Sequence, residues 1–406
     1  MGYTKQTIKG ISWAGSFRIV TRAVSFLRTA ILARLLLPVD FGFFSIASLV
    51  LAISELITET GINIILVQKK EEIDKYIDTA WVISIMRGVL IGLVILLTAP
   101  FVSSFFSMPQ AYTLLIWIAA VPVVRGFINP SVVKLLKDLH FQKEFYYKTS
   151  IFLVESAVSI LFAMILKSPI ALVYGLLAGA VFEVTISFVL LSPRPRFNIK
   201  KRYMYEIFSH GKWLTANGVI NYLYQNLDNI VIGKMLGAAT LGIYDVAYKI
   251  SLLPLTEVAD VVGRTAFPVM VKINDNVNRL RRAYYKSLLL ISIVSFMITL
   301  LILVFPSQII QILLGDQWIS AVGILQLLAV FGLLRAILLS LTHPFYARQK
   351  QMHMTIIGAV GLLGLGVTVV PFVVMWGVNG AVYSAIFGTL LSYPIAIYFL
   401  KKVLYE

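Results

Sequence analysis

Residues 18–34 read RIVTRAVSFLRTAILAR, an apolar run that carries Arg18, Arg22, Arg28 and Arg34. A guanidinium stays charged and offers a planar fork of donors, so it suits phosphate through two parallel hydrogen bonds. Arg22, Arg28 and Arg34 recur at steps of six residues. On a helix each such step turns the chain by about 240°, so the three do not line one stripe, whereas Arg18 and Arg22 share a face. A helix lying on a membrane surface gathers its charges on one side, and this one does not. Arg18 and Arg34 stand near the two ends of the run, where each can snorkel. Arg22 and Arg28 are deeper. Either they meet an anion in a water-filled cavity, with Arg18 beside Arg22, or they pair with Glu59 or a carboxylate from the second half of the chain.

A second polar run, NGVINYLYQNLDNIVIGK (217–234), places Asn221, Tyr224, Gln225 and Asn226 around Asp228. Amides and aromatic rings suit a sugar, by hydrogen bonds to hydroxyls and flat apolar faces against ring C–H groups. The same residues also serve as interhelical glue. Glu59 and Asp228 are the candidates for a coupling ion or proton. Further ionisable residues interrupt other apolar runs: Glu55, Arg87, Arg125, Glu155, Glu183, Asp245, Lys249, Glu257, Asp260, Arg264 and Arg335. Arg87, Lys234, Lys249 and Arg264 read as snorkelling ends or structural ion pairs, and Glu155 and Glu183 are available as interhelical partners for an arginine. With no cysteine, no metal-ligand spacing among four histidines, and neither a Walker A nor a GxSxG motif, no metal site, cofactor or catalytic constellation is expected.

The elements that must position these residues follow from composition. Of 406 residues 59% are hydrophobic and only 13% charged, against roughly 25% charged in soluble domains. With a mean hydropathy of +0.87, the chain is read as an all-α polytopic membrane protein. Apolar segments predict twelve spans, at 11–37, 41–66, 79–104, 111–135, 148–167, 169–191, 211–236, 241–270, 286–305, 318–341, 353–374 and 377–400. The first is too long for a signal h-region and is expected to be a retained helix. Alternate loops, such as KLLKDLHFQKEFYYK and KINDNVNRLRRAYYK, are basic, and the others are short and nearly free of Lys and Arg. The positive-inside rule then puts both termini in the cytoplasm. It also absorbs most of the +16 net charge, so no nucleic-acid partner is expected.

The chain also repeats itself. LARLLLPVDFGFFSIA (32–47) aligns with IGKMLGAATLGIYDVA (232–247), and LLIWIAAVPVVRGFI parallels ILQLLAVFGLLRAIL, setting Arg125 against Arg335. Asp228 stands at the repeat position of Arg28. A unit of six spans gives two lobes of like orientation, 1–191 and 211–406, joined by a basic cytoplasmic linker at 192–210.

The stretches KGISWAGSFRIVTRAVSFLRTAILARLLLPVDFGFFSIA, NYLYQNLDNIVIGKMLGAATLGIYDVAYKISLLPL and LLGDQWISAVGILQLLAVFGLLRA resemble the polysaccharide transporter family. That family includes the O-antigen and colanic-acid-type flippases of the multidrug/oligosaccharidyl-lipid/polysaccharide superfamily. The six-residue arginine spacing also resembles the first helix of the peptidoglycan lipid II flippases, whose arginines lie in or near a cationic cavity for a lipid diphosphate. Many relatives carry fourteen helices, so the two-lobe core without the accessory pair is expected. The resemblance implies a non-enzymatic, alternating-access flippase of a prokaryotic plasma membrane. It would move a polyprenyl-diphosphate-linked oligosaccharide outward for lipopolysaccharide or exopolysaccharide export, with membrane lipids, a polysaccharide polymerase and glycosyltransferases as partners. Arg22, Arg28 and Arg18 would engage the diphosphate, and Asn221, Tyr224, Gln225 and Asn226 the sugar. The alternative is an ion-coupled drug or metabolite antiporter of the same superfamily, whose cavity should be acidic.

Overall fold

In lipid a backbone must satisfy its own hydrogen bonds, so long apolar runs are driven into helices. The computed structural model describes residues 20–58, 66 and 73–405, without the side chains of 201–202, 205–221, 264 and 342, and no strand occurs among the described residues. Arg18 and Glu59 therefore lie outside the described residues, as does the side chain of Asn221. Nine helices among the described residues are long and apolar enough to cross a bilayer. They become ten if Pro109–Gly126 and Pro130–Lys137, bent by 69° at their break, form one span.

Residues 20–35 form the helix that carries Arg22, Arg28 and Arg34. It ends before Leu37, which is extended (φ −79°, ψ 158°) ahead of the helix Pro38–Ile57. Proline suits that first turn because its missing N–H would have no partner there. Asp40 accepts the Leu37 N–H at 2.9 Å and closes the turn. Far along the chain, the helix Lys201–Lys272 is interrupted at Gly237 (φ 83°, ψ 177°). That backbone region is open to glycine almost alone, so one residue separates two apolar runs.

The chain divides into two compact units, Met1–Asn226 and Leu227–Glu406. In the first, Ala47, Leu51, Ile91, Ile95, Leu115, Ile118 and Val173 form one buried cluster. In the second, Leu280, Tyr284, Phe345, Leu400 and Leu404 do the same. Small residues bring backbones together in both, as expected for helices in lipid. A Cβ on Gly126 would lie 2.9 Å from the Ser84 carbonyl oxygen, and one on Gly388 would lie 2.6 Å from that of Gly361.

Part of the expected linker is strapped to the first unit. Ser131 Oγ donates to the Pro193 carbonyl at 2.8 Å, and Lys134 Nζ to that of Ser192 at 3.1 Å. The Arg196 N–H reaches Asp78 Oδ1 at 2.9 Å, and the Lys200 N–H reaches Thr79 Oγ1 at 3.1 Å. The Phe197 ring lies 4.6 Å from that of Trp81, centroid to centroid. Helix begins at Lys201, so residues 192–200 are held along their length rather than slack.

Candidate functional site

Arg28 is the arginine of the first helix that the fold draws inward. Its Nη1 donates to Glu155 Oε1 at 2.6 Å, and the two side chains are 13% and 14% exposed. Glu155 lies on Phe141–Leu166 and is held against Ile170–Leu190 by glycines. A Cβ on Gly175 would overlap Ser159 Oγ and lie 2.7 Å from the Glu155 carbonyl oxygen, and one on Gly179 would sit 3.1 Å from Glu155 Cβ. Among the described residues the partner of Arg28 is thus Glu155, a carboxylate of its own unit. Arg22 and Arg34 are exposed.

Between Pro38–Ile57, Asp74–Phe105 and Ala120–Gly126 lies a cavity of about 510 Å³, lined by Glu55, Arg87, Arg125 and Glu183 among other residues. Arg87 belongs to the wall. Its Nη2 donates to the Glu55 carbonyl at 2.6 Å and its Nε to Thr58 Oγ1 at 3.2 Å. The last carbonyls of a helix lack partners and carry the negative end of its dipole, so a guanidinium there acts as a cap. This agrees with the structural reading of Arg87. Arg125 is held more loosely: Nη1 meets Glu55 Oε1 at 3.3 Å, and the two side chains are 35% and 34% exposed. Glu183 lies within electrostatic reach of Arg125, Tyr147, Lys148 and Glu155. Charges of both signs from five helices therefore run through this unit: Arg28, Glu155, Glu183, Arg125 and Glu55. Sequence marked each as an ionisable residue in an apolar run. It gave no sign that Glu55, Arg125 and Glu183 share one cavity, because that depends on which helices adjoin.

In the second unit Asp228 is buried, 5% exposed. Tyr244 donates its hydroxyl to Asp228 Oδ2 at 2.5 Å, and Arg335 lies within electrostatic reach of both. At an offset of 200 from Tyr244 the chain has Phe44, which carries no hydroxyl. Of the expected sugar contacts, Tyr224 is half-buried, Gln225 is exposed, and Asn226 Nδ2 donates to the Tyr222 carbonyl at 2.9 Å. Lys249 pairs with Asp245 one turn away at 2.7 Å. No group of three or more His, Asp or Glu that could hold a metal occurs among the described residues.

Fold and site together define a polytopic helical membrane protein with charge carried inside its helix packing. The fold is similar to that of the lipid II flippase MurJ in an inward closed conformation, with a TM-score of 0.78 and 13% identity over 95% of this chain and 87% of that one. It is also similar to an inward-facing multidrug resistance MATE family transporter, with a TM-score of 0.72 and 15% identity over 95% and 94% of the two chains. The chain belongs to the polysaccharide biosynthesis protein family, whose sequence model matches residues 31–323. Among its relatives is the lipopolysaccharide biosynthesis protein WzxC of Escherichia coli (strain K12), 24% identical over 350 residues, which cover 83% of this chain and 69% of the relative.

Proposed function

We propose that this protein is an alternating-access flippase that moves a polyprenyl-diphosphate-linked oligosaccharide from the cytoplasmic to the outer leaflet of a prokaryotic plasma membrane. The observation that carries the reading is membership of the polysaccharide biosynthesis protein family across residues 31–323. The likeness of fold to a lipid II flippase is consistent with it. The reading takes the chain as twelve spans in two lobes of like orientation, with both termini cytoplasmic. The helix at 20–35, the bent span after Pro109 and the break at Gly237 support that count. Leu37 and Gly237, 200 residues apart, both leave helical geometry. Phe41, Ile46 and Ala47 are buried, as are Leu241, Val246 and Ala247 at the same offset.

In this mechanism Arg22 and Arg28 engage the diphosphate, with Arg18 beside them, and Arg28 exchanges Glu155 for phosphate. Tyr224, Gln225, Asn226 and Asn221 contact sugar, and Asp228 and Glu59 answer a coupling ion. The polyprenyl tail stays in lipid while the lobes rock. Glycosyltransferases supply the substrate and a polymerase consumes the product, and the flippase makes no bond of its own. A cation antiporter would favour an acidic cavity, whereas here Arg87 and Arg125 balance Glu55 and Glu183.

The test is a proteoliposome assay with a fluorescent lipid-linked oligosaccharide, read by outer-leaflet accessibility. Protein-dependent flipping is expected. Its absence, together with export of a cationic dye, would overturn the reading.

A further inference from the structure

We propose that the cavity of the first unit is a subsite for an acidic sugar, a pyranose whose carboxylate displaces Glu55 from Arg125. The inference rests on the flippase reading and names the class of glycan that this flippase takes.

Two arginines of the same unit differ sharply. Arg28 is mostly enclosed against Glu155 at 2.6 Å, whereas Arg125 meets Glu55 at 3.3 Å and keeps about a third of its side chain open. The latter distance lies beyond the usual range for an N–H···O bond. A guanidinium has five N–H donors, and this contact with Glu55 is the one hydrogen bond that the Arg125 side chain makes among the described residues. A membrane-embedded charge costs on the order of 2.5–3.5 kcal/mol and usually marks a pathway or a site. A loosely tied guanidinium facing a cavity of about 510 Å³ fits that description, and the volume falls among those of small-molecule pockets.

Charge decides which anion. Arg87 and Arg125 already balance Glu55 and Glu183 around the cavity. A diphosphate would bring two or more negative charges beside two carboxylates. A monocarboxylate replaces Glu55 on the Arg125 fork one for one, bidentate where Glu55 is not. The released Glu55 and neighbouring Glu183 then accept sugar hydroxyls, an acceptor-only role that suits ionised carboxylates. Ser84 supplies a further hydroxyl, and Ile91, Ile128 and Val133 offer apolar wall to the ring C–H face.

The experiment measures binding to the full-length protein in nanodiscs by calorimetry, with digalacturonate, neutral digalactose and inorganic pyrophosphate as probes. Digalacturonate should bind at least about tenfold tighter than digalactose. Arg125→Gln should erase that preference, and Arg125→Lys, which keeps charge but loses the fork, should lose most of it. Glu55→Gln removes the competitor and should strengthen uronate binding several-fold. A purely structural bridge predicts that both sides weaken binding alike or change nothing, and either result overturns the proposal. So does equal binding of digalactose, or pyrophosphate displacing digalacturonate through Arg125. Where Arg125→Gln does not fold, Arg125→Lys and Glu55→Gln decide. Failure of this subsite leaves flipping of a neutral lipid-linked oligosaccharide intact. Failure of the flippase reading abolishes flipping of neutral and acidic substrates alike.

Discussion

Replacing Arg28 with alanine should destabilise the protein far more than replacing Arg125. Removing one member of a buried ion pair strands the other charge and costs about 3–5 kcal/mol. The Arg28–Glu155 pair meets that condition, at 2.6 Å with both side chains under 15% exposed. The Arg125–Glu55 pair is longer and a third open, so its loss should cost about 0–1 kcal/mol. Thermal unfolding of purified variants would read the difference at about 2–4 °C per kcal/mol for a unit of this size. The double variant Arg28→Ala with Glu155→Ala should lose clearly less than the sum of the two single losses, since neither charge is then stranded. If the losses simply add, or if Arg28→Ala costs no more than Arg125→Ala, the pairing argument is refuted. The same double variant separates structure from function. Regained stability with flipping still absent supports Arg28 as a phosphate ligand. Regained flipping would leave Arg28 as Glu155's structural partner and pass the phosphate to Arg22.

Four further substitutions test the local reasoning. Gly175→Ala should push Phe141–Leu166 from Ile170–Leu190, because the new methyl overlaps Ser159 Oγ; a loss of about 1–3 kcal/mol in thermal unfolding is expected, and an unchanged melting temperature would count against close packing there. Gly237→Ala should cost about 1–3 kcal/mol by backbone strain alone, since no atom lies within 4 Å of the added Cβ; the same assay checks it. Tyr244→Phe removes a hydrogen bond to the buried Asp228 carboxylate, so a loss of about 1.5–3 kcal/mol is expected. Asp228→Asn can still accept that bond. If Asp228 answers the coupling ion, flipping by the Asn variant should ignore an imposed proton or sodium gradient, and retained gradient dependence would remove it from that role.

Helices were easy to read from sequence because apolar length alone requires them, but their ends were not. The expected 148–167 span is the helix Phe141–Leu166. Hydropathy does not see the turns before residue 148, where Lys148 pairs with Glu144 at 2.5 Å. Likewise the 111–135 segment is bent, with Pro109 opening one helix and Pro130 a short 3₁₀ turn, and a hydropathy window averages over such breaks. A Cβ on Gly364 would lie 2.9 Å from Gly388 Cα across a helix pair, whereas one on Gly358 would meet no atom within 4 Å. At the site, sequence singled out Arg28 and offered Glu155 as an available partner without joining them. They stand 127 positions apart, and the close contact of Gly175 and Gly179 with the helix of Glu155 emerges from the structure. The cavity was less legible still, since Glu55, Arg125 and Glu183 come from three helices whose adjacency no spacing encodes.

The exchange of Arg28 for Asp228 carries a historical consequence if the two halves arose by duplication. Asp228 is buried, and the hydroxyl that meets it belongs to Tyr244, where the first half has Phe44. An ancestor that gained the aspartate first would have hidden a carboxylate without that donor. One that gained the tyrosine first would only have added a hydroxyl beside an arginine, a milder intermediate. Under duplication, the milder order is Tyr244 before Asp228. Reconstructed ancestors carrying Tyr244 before Asp228 would record it.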